Sequence, residues 1–347
     1  MRKLVKGNEA VVLGGLCAGC DAYFGYPITP ASEIAQRTAE YYLALGKIFM
    51  QAECEVASIN MLYGASAAGL RTMTSSSGPG ISLMQEGISY LAGAELPAVI
   101  VDVMRVGPGI GNIGPEQSDY FQIVKGGGHG TYRLIVLAPN SASEMYEMTV
   151  RAFDLADRYR NPAVVLADAI LGQMMEPVEI AELPSSRPPK PWRVDATNAT
   201  NDNVLTTIQL NPERMRDHIL HLQKKYDQIK ATEADVELYR VEDAEILLTG
   251  YGIVSRILKS AVDTLRCGGI AAGLIRPKTL WPFPSGVFGE RCAGKPTLVV
   301  ELSTGQYIED VRLAAPTGKI AFLGAVGGFL PSEAQIIEHA KRLLRNI

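Results

Sequence analysis

Four short segments of this 347-residue chain carry the side chains best suited to chemistry. In Gly25-Tyr26-Pro27-Ile28-Thr29-Pro30, one hydroxyl stands between two prolines. Proline fixes its own φ and restricts the residue before it, so Ile28 and Thr29 sit on a stiff backbone. Gln51-Ala52-Glu53-Cys54-Glu55 brings two carboxylates to the start of a helix whose buried face is read from Val56, Ile59 and Tyr63. Glu53 suits the positive end of a helix dipole without further purpose. Glu55 precedes Val56 and lies one turn before Ile59, closer to the inner face, and is the better functional candidate. Ser75-Ser76-Ser77-Gly78-Pro79-Gly80 is built of small residues that let a ligand approach the backbone. Arg105 is followed by a flexible glycine run to Gly114. A stiff hydroxyl, a carboxylate, a small-residue loop and a guanidinium form a set that can hold a ligand.

Other motifs carry less. Gly109-Ile-Gly111-Asn-Ile-Gly114 matches GxGxxG, but Pro115 stands where a helix should be running. No acidic residue occurs between Asp119 and Glu144, the window about 20 residues on where a ribose-binding acid belongs. Neither a G-x-S-x-G elbow nor a G-x-x-x-x-G-K-[ST] phosphate loop is present. Cys17 and Cys20 form a lone CxxC without a second pair, read as neighbours one helical turn apart rather than metal ligands. His129, in Gly126-Gly-Gly-His-Gly, is read as structural or solvated.

The elements that must position these loops follow from periodicity. Short apolar runs at 22–25, 47–50, 71–75, 98–103, 134–137 and 163–166 alternate with helical stretches near 8–20, 31–45, 53–69, 79–93 and 141–158. That alternation predicts α/β architecture with open, mostly parallel sheets and helices on both faces. The four candidate loops leave the carboxyl ends of the first four strands, where such sheets bind ligands. A Pro-rich stretch at 184–192 and an Asn/Thr-rich one at 195–203 predict an extended connector. Met215, Ile219, Leu222, Tyr226 and Ile229 then recur at helical spacing within 211–239, predicting one amphipathic helix. Alternation resumes after 242. The expected organisation is therefore a ligand-binding domain over 1–183, a connector and helix over 184–241, and a second α/β domain over 242–347.

Composition narrows the class. Apolar residues make up 47% and charged residues 20%, enough for a large core. Lys+Arg total 33 against Asp+Glu 37, a net charge of -4 that argues against nucleic acid as a partner. No apolar run reaches the roughly 18 residues of a membrane span, and the first residues lack a signal-peptide apolar region. The expectation is a soluble cytoplasmic protein with no membrane partner.

At these residues the chain resembles the alpha subunit of 2-oxoacid:ferredoxin oxidoreductases. The matching pieces are Gly7-Asn8-Glu9-Ala10, Gly25-Tyr-Pro-Ile-Thr-Pro-Ala-Ser-Glu33, Glu53-Cys-Glu-Val-Ala-Ser-Ile, Gly64-Ala-Ser-Ala-Ala-Gly69 and Ser77-Gly-Pro-Gly-Ile-Ser-Leu-Met84. The resemblance implies a thiamine-diphosphate-binding-like domain of the pyrimidine type followed by a transketolase C-terminal-like domain. It implies conversion of a 2-oxoacid and coenzyme A to acyl-CoA and CO2, with electrons passed to ferredoxin. Glu55, with Glu53 as fallback, then hydrogen-bonds the aminopyrimidine ring. Thr29 and Arg105 line the pocket for the substrate's carboxylate and carbonyl, a task suited to arginine's planar fork. Tyr26, Pro27, Ile28, Ser77 and Gly78 accompany Glu55 around the cofactor. The resemblance places the diphosphate and Mg2+ site on a beta subunit and 4Fe–4S clusters on partner subunits, which include gamma and ferredoxin-like delta chains. This chain alone is then inactive.

Within the family, Gly87-Ile-Ser-Tyr-Leu-Ala-Gly-Ala-Glu-Leu-Pro97, Lys125-Gly-Gly-Gly-His-Gly130 and Leu171-Gly-Gln-Met-Met-Glu-Pro177 are most similar to the branched-chain, 2-oxoisovalerate type. The 2-oxoglutarate type carries Gly-Pro-Ser-Thr-Gly-x-Pro-Thr after the arginine, where this chain has Gly107-Pro-Gly-Ile-Gly-Asn-Ile-Gly114. A 2-oxoglutarate or pyruvate enzyme, and a non-catalytic structural subunit, stand as the alternatives.

Overall fold

The structure is a computed structural model that describes residues 2–181, 187–195 and 203–345. Residues 184–186 of the Pro-rich stretch and 196–202 of the Asn/Thr-rich stretch thus lie outside the described residues.

The chain opens with β1 (Arg2–Lys6) and α1 (Gly7–Cys17), then alternates through β2 (Ala22–Gly25), α2 (Ser32–Ala44), β3 (Ile48–Gln51), α3 (Glu55–Ala67), β4 (Thr72–Ser76), α4 (Pro79–Gly93) and β5 (Val99–Met104). After a long loop and a single π-helical turn at Phe121–Gly126 come β6 (Ile135–Leu137), α5 (Ala142–Tyr159), β7 (Ala163–Asp168), α6 (Ala169–Gln173) and β8 (Met175–Glu179). Strands β2 to β7 form one parallel sheet, and β1 pairs with β8 in an antiparallel ribbon. Every residue of β4, β5 and β7 is buried, as expected of central strands covered on both faces. Helices α1, α2 and α5 pack together as one layer, and α3 packs on α4 as another.

The buried face of α3 differs from its sequence reading. Glu55, Ser58, Ile59, Leu62 and Ser66 face inward, whereas Val56 is 41% exposed and Tyr63 only half-buried. Successive helical residues turn by about 100°, so burying Glu55 swings Val56 outward. Helices α3 and α4 approach closely because Gly87 lacks a side chain: a Cβ there would lie 2.5 Å from Ile59 Cγ2.

The predicted amphipathic helix is α7 (Pro212–Thr232), capped by the Asn211 side chain, which accepts from Arg214 N at 3.0 Å. Leu222, Tyr226 and Ile229 are its buried stripe, while Met215 is 37% exposed. It lies along the first domain: Lys225 pairs with Glu95, and Tyr226 packs edge-on against Trp281. The helix ends at Thr232. The following residues make β9 (Val236–Tyr239), which joins the second sheet from within the stretch expected to be connector.

That second sheet, in the order β14-β13-β10-β11-β9, is parallel except for β9. Over this part of the chain the elements run β10 (Ile246–Thr249), α8 (Gly252–Cys267), β11 (Ala272–Pro277), β12 (Thr279–Trp281), α9 (Ser285–Arg291), β13 (Pro296–Glu301), α10 (Tyr307–Ala314), β14 (Lys319–Gly324) and α11 (Glu333–Arg345). β12 does not belong to the second sheet. Those three residues cross back and pair antiparallel with β6, becoming the edge of the first, seven-stranded sheet.

One buried cation ties these pieces together. Arg276, 1% exposed on β11, donates to both Glu144 oxygens at 2.6 and 2.8 Å on α5 and to Glu237 at 2.8 Å on β9. Among the described residues, removing the buried cation leaves Glu144 and Glu237 with only their longer ion pairs to Lys278 and Lys259. Arg276→Met is expected to lower stability by about 3–5 kcal/mol in urea unfolding.

Candidate active site

The order β12-β6-β7-β5-β4-β2-β3 contains a switch point. From β2 the chain steps outward to β3, then returns past β2 to β4. The loops leaving β2 and β4 therefore diverge and open a crevice at the carboxyl ends of the strands. All four candidate loops end there.

Glu55 is buried at the first turn of α3, while Glu53 is exposed, which separates the two carboxylates. The Cys54 side chain caps the helix, accepting from Ala57 N at 3.5 Å. The Glu55 carboxylate lies against Gly80: a Cβ on Gly80 would stand 2.6 Å from its Oε1 and closer still to Ser76 Oγ. Among the described residues nothing hydrogen-bonds that carboxylate. The hydroxyls of Ser76 and Ser77 are also buried without partners. Buried polar groups are nearly always satisfied, so this cluster fits a ligand that brings donors and acceptors of its own.

Arg105 extends from the end of β5 and is 9% exposed. Its Nη1 donates to Thr29 O at 2.9 Å and its Nη2 to Ile110 O at 3.0 Å. These two carbonyls hold the guanidinium, leave its Nε without a partner, and keep further N–H donors for a ligand. The glycine run behind it is held by Glu116, which is 4% exposed. The Glu116 carboxylate accepts from Gly107 N and Gly327 N, each at 3.1 Å, linking this loop to the second domain. Arg105 and Gly78 share a cavity of about 1020 Å³ whose other wall, Ser303, Thr304, Gln306 and Gly327, comes from the second domain. Thr29 is exposed and lines a neighbouring cavity of about 660 Å³ with Pro30, Ile113, Pro115, Ile170 and Met174.

The structure thus joins Arg105 to Thr29, and Glu55 to the turn that carries Ser77 and Gly78. Tyr26 and Pro27 are exposed along the rim and Ile28 half-buried, with no hydrogen bond from these three residues to Glu55 or Arg105. His129 is exposed beside Tyr90, lining a different cavity of about 430 Å³. The GxGxxG match folds as an irregular loop closed by an Arg105–Pro115 bridge, not as a strand-to-helix turn. Cys17 and Cys20 are both buried and outside any disulfide, and burial pushes Cys20 up to about 11.

Sequence reading missed two residues here. Asp102 is fully buried in the middle of the apolar strand β5, and Asp119 lines the large cavity while accepting from Gly78 N at 3.1 Å. The signal was present: an aspartate inside Val99-Ile-Val-Asp-Val-Met104 has no packing rationale.

Residues 14–238 match the family described as pyruvate flavodoxin/ferredoxin oxidoreductase, thiamine diphosphate-binding, and residues 244–336 match core domain II of pyruvate:ferredoxin oxidoreductase. The chain is 54% identical over 343 residues to ketoisovalerate oxidoreductase subunit VorB of Methanothermobacter marburgensis, covering 98% of this chain and 97% of that one. It is 36% identical over 363 residues to 2-oxoglutarate synthase subunit KorA of the same organism, covering 96% of each. It superposes with a TM-score of 0.87 and 28% identity on 2-oxoglutarate:ferredoxin oxidoreductase from Magnetococcus marinus, solved with 2-oxoglutarate, coenzyme A and succinyl-CoA bound, covering 99% of this chain and 65% of that one. A split-gene transketolase shares the fold, with a TM-score of 0.61 and 12% identity over 97% of each chain.

The close approach of Gly80 to Glu55 makes a direct test. Gly80→Ala is expected to push the carboxylate out of its niche and destabilise the chain by about 1–3 kcal/mol, measured by urea unfolding and a crystal structure of the variant.

Proposed function

This chain belongs to the 2-oxoacid:ferredoxin oxidoreductases, and on that premise we propose that it is the alpha subunit of a branched-chain enzyme acting on 2-oxoisovalerate. The reaction is oxidative decarboxylation with coenzyme A to acyl-CoA and CO2, the electrons leaving for ferredoxin. The observation that carries this reading is the buried, unpartnered Glu55 carboxylate seated on Gly80, beside the arginine clamp.

The residues present fit the pyrimidine end of thiamine diphosphate. Glu55 offers a carboxylate, Ser76 and Ser77 offer unpaired hydroxyls, and Gly78 leaves the backbone bare for a flat ring. When bound, thiamine diphosphate supplies a thiazolium carbon that adds to the 2-oxo carbon and takes up the electron pair left as CO2 departs. Glu55 holds a proton at a ring nitrogen of the aminopyrimidine, and its burial strengthens that hydrogen bond. Arg105, braced by the Thr29 and Ile110 carbonyls, turns its remaining donors to the substrate's carboxylate, with the Thr29 hydroxyl beside it. Tyr26, Pro27 and Ile28 complete the rim. In this reading the beta subunit holds the diphosphate and Mg2+, and 4Fe–4S clusters lie on partner subunits, gamma and ferredoxin-like delta chains among them. Among the described residues no helix is long and apolar enough to cross a membrane, and the proposed setting is the cytoplasm.

The substrate class follows from charge. Among the described residues lining the two cavities, Arg105 is the one cation. It serves the carboxylate next to the oxo group, so nothing there answers the second carboxylate of 2-oxoglutarate. Ile110, Ile113, Ile170 and Met174 offer apolar surface for a branched side chain instead.

Two measurements on the assembled complex test this. Glu55→Gln is expected to leave assembly intact and cut turnover by about 10²-fold or more, the scale of a proton-holding group. Near-normal turnover would move the chemistry to another pocket or make the chain a structural subunit. Across a panel of 2-oxoacids, kcat/KM for 2-oxoisovalerate is expected to exceed that for pyruvate and 2-oxoglutarate by at least about tenfold. Faster 2-oxoglutarate turnover would overturn the branched-chain assignment.

A further inference from the structure

Asp102 and Asp119 are not used by the mechanism above, yet they lie directly behind it. The Asp102 carboxyl is wholly buried in β5, and neither of its oxygens accepts from any N–H or hydroxyl among the described residues. Its polar neighbour is Asp119: Asp102 stands in register with Ser76 of β4, two residues before the Gly78 amide that Asp119 accepts from, and the Asp119 charge acts on it. Asp119 in turn accepts from Gly78 N at 3.1 Å and from Gln122 Nε2 at 2.9 Å, and faces the large cavity. Two carboxylates held near each other and shut off from water repel unless one of them keeps a proton. The surrounding charges are Arg105 from the end of β5 and Glu116 from the same loop as Asp119, with the buried Tyr251 hydroxyl facing from the second domain.

We propose that Asp102 and Asp119 share one proton in the resting chain, and that this proton positions both the Gly78 turn and the Arg105 guanidinium for an anionic substrate. Asp119 grips the Gly78 amide on one side and faces Arg105 on the other, both close to where a Gly78 side chain would stand. With the proton in place the pair carries a single negative charge, and Arg105 keeps its donors for the substrate. Loss of the proton puts a second negative charge beside Arg105, in a setting of low dielectric, and the guanidinium is drawn to the pair. The substrate's carboxylate then competes with a carboxylate of the protein.

The energetics support a working role. Burial raises both carboxyls: Asp119 to about 6, against lowering hydrogen bonds from Gln122 and Gly78, and Asp102 well above the usual carboxylate range, with the charge of Asp119 adding to it. A carboxyl whose folded pKa is raised binds its proton more tightly in the native chain than in the unfolded one. Stability therefore falls as the pH rises through the pair's titration. An asparagine or leucine at 102 would avoid that loss, so an aspartate there is poor packing unless its proton matters.

Both are positioning residues, and the arm that measures substrate affinity rests on the reading given under Proposed function. Asp102→Asn keeps a donor toward Asp119 but removes the titration. In the assembled complex the wild-type kcat/KM is expected to fall on the alkaline side, chiefly through a rising KM. Asp102→Asn is expected to keep kcat within about twofold near neutral pH and to flatten that limb. Infrared difference spectra of the full-length chain at neutral pH provide the independent arm, with the carbonyl stretch of a protonated carboxylic acid present in wild type and lost in Asp102→Asn. An alkaline limb unchanged in the variant overturns the positioning role, and absence of the infrared band overturns the shared proton. A complex inactive on every 2-oxoacid would defeat the functional reading while the infrared result still decided the proton.

Discussion

The site depends on two helices being allowed to touch. Gly87 admits Ile59 between α3 and α4, and Gly80, at the start of α4, admits the Glu55 carboxylate at the start of α3. A methyl group at either glycine would separate the helices, and the carboxylate would swing toward water. The close packing of the two helices is what keeps the carboxylate at its inward position. The cap from Cys54 and the buried stripe of Ile59, Leu62 and Ser66 do the same from the helix side. Glu55 is thus presented by the scaffold rather than by a loop.

The second domain acts on this site as a wall. Gln117 donates to Tyr251 O and accepts from Leu302 N, and Asp168, at the end of β7, accepts from Ile253 N at 3.0 Å. Asp310 takes hydrogen bonds from Tyr120 and Lys125. These contacts all cross from the end of β7 and the loop after β5 to the second domain, which supplies the far wall of the 1020 Å³ cavity. Its lining sets one cation, Arg105, beside the carboxylates of Glu116 and Asp119, among glycines and small hydroxyls.

Much of this was legible in the sequence, for physical reasons. Strands covered on both faces must be apolar runs, and β5 and β7 stood out for that reason. Loops after parallel strands gather at one edge, so Thr29, Glu55, Gly78 and Arg105 could be grouped before any coordinates. What the sequence hid were effects of packing. Val56 looked like a core residue because it is apolar, but Glu55 occupies the inward position and displaces it. β12 was invisible because three residues carry no period, and the β1–β8 ribbon because its residues are mostly exposed. Asp102 was overlooked because an acid within an apolar run reads as an interruption until its neighbour is known.

The return of β12 to the first sheet has a broader consequence. Thr279 to Trp281, drawn from between two strands of the second domain, shield the open side of β6, an edge that would otherwise offer free backbone groups to any passing strand. The second half of the molecule therefore lends the first a piece of its own backbone. Cutting the chain between them would leave the β6 edge bare, a seam open to pairing with another strand.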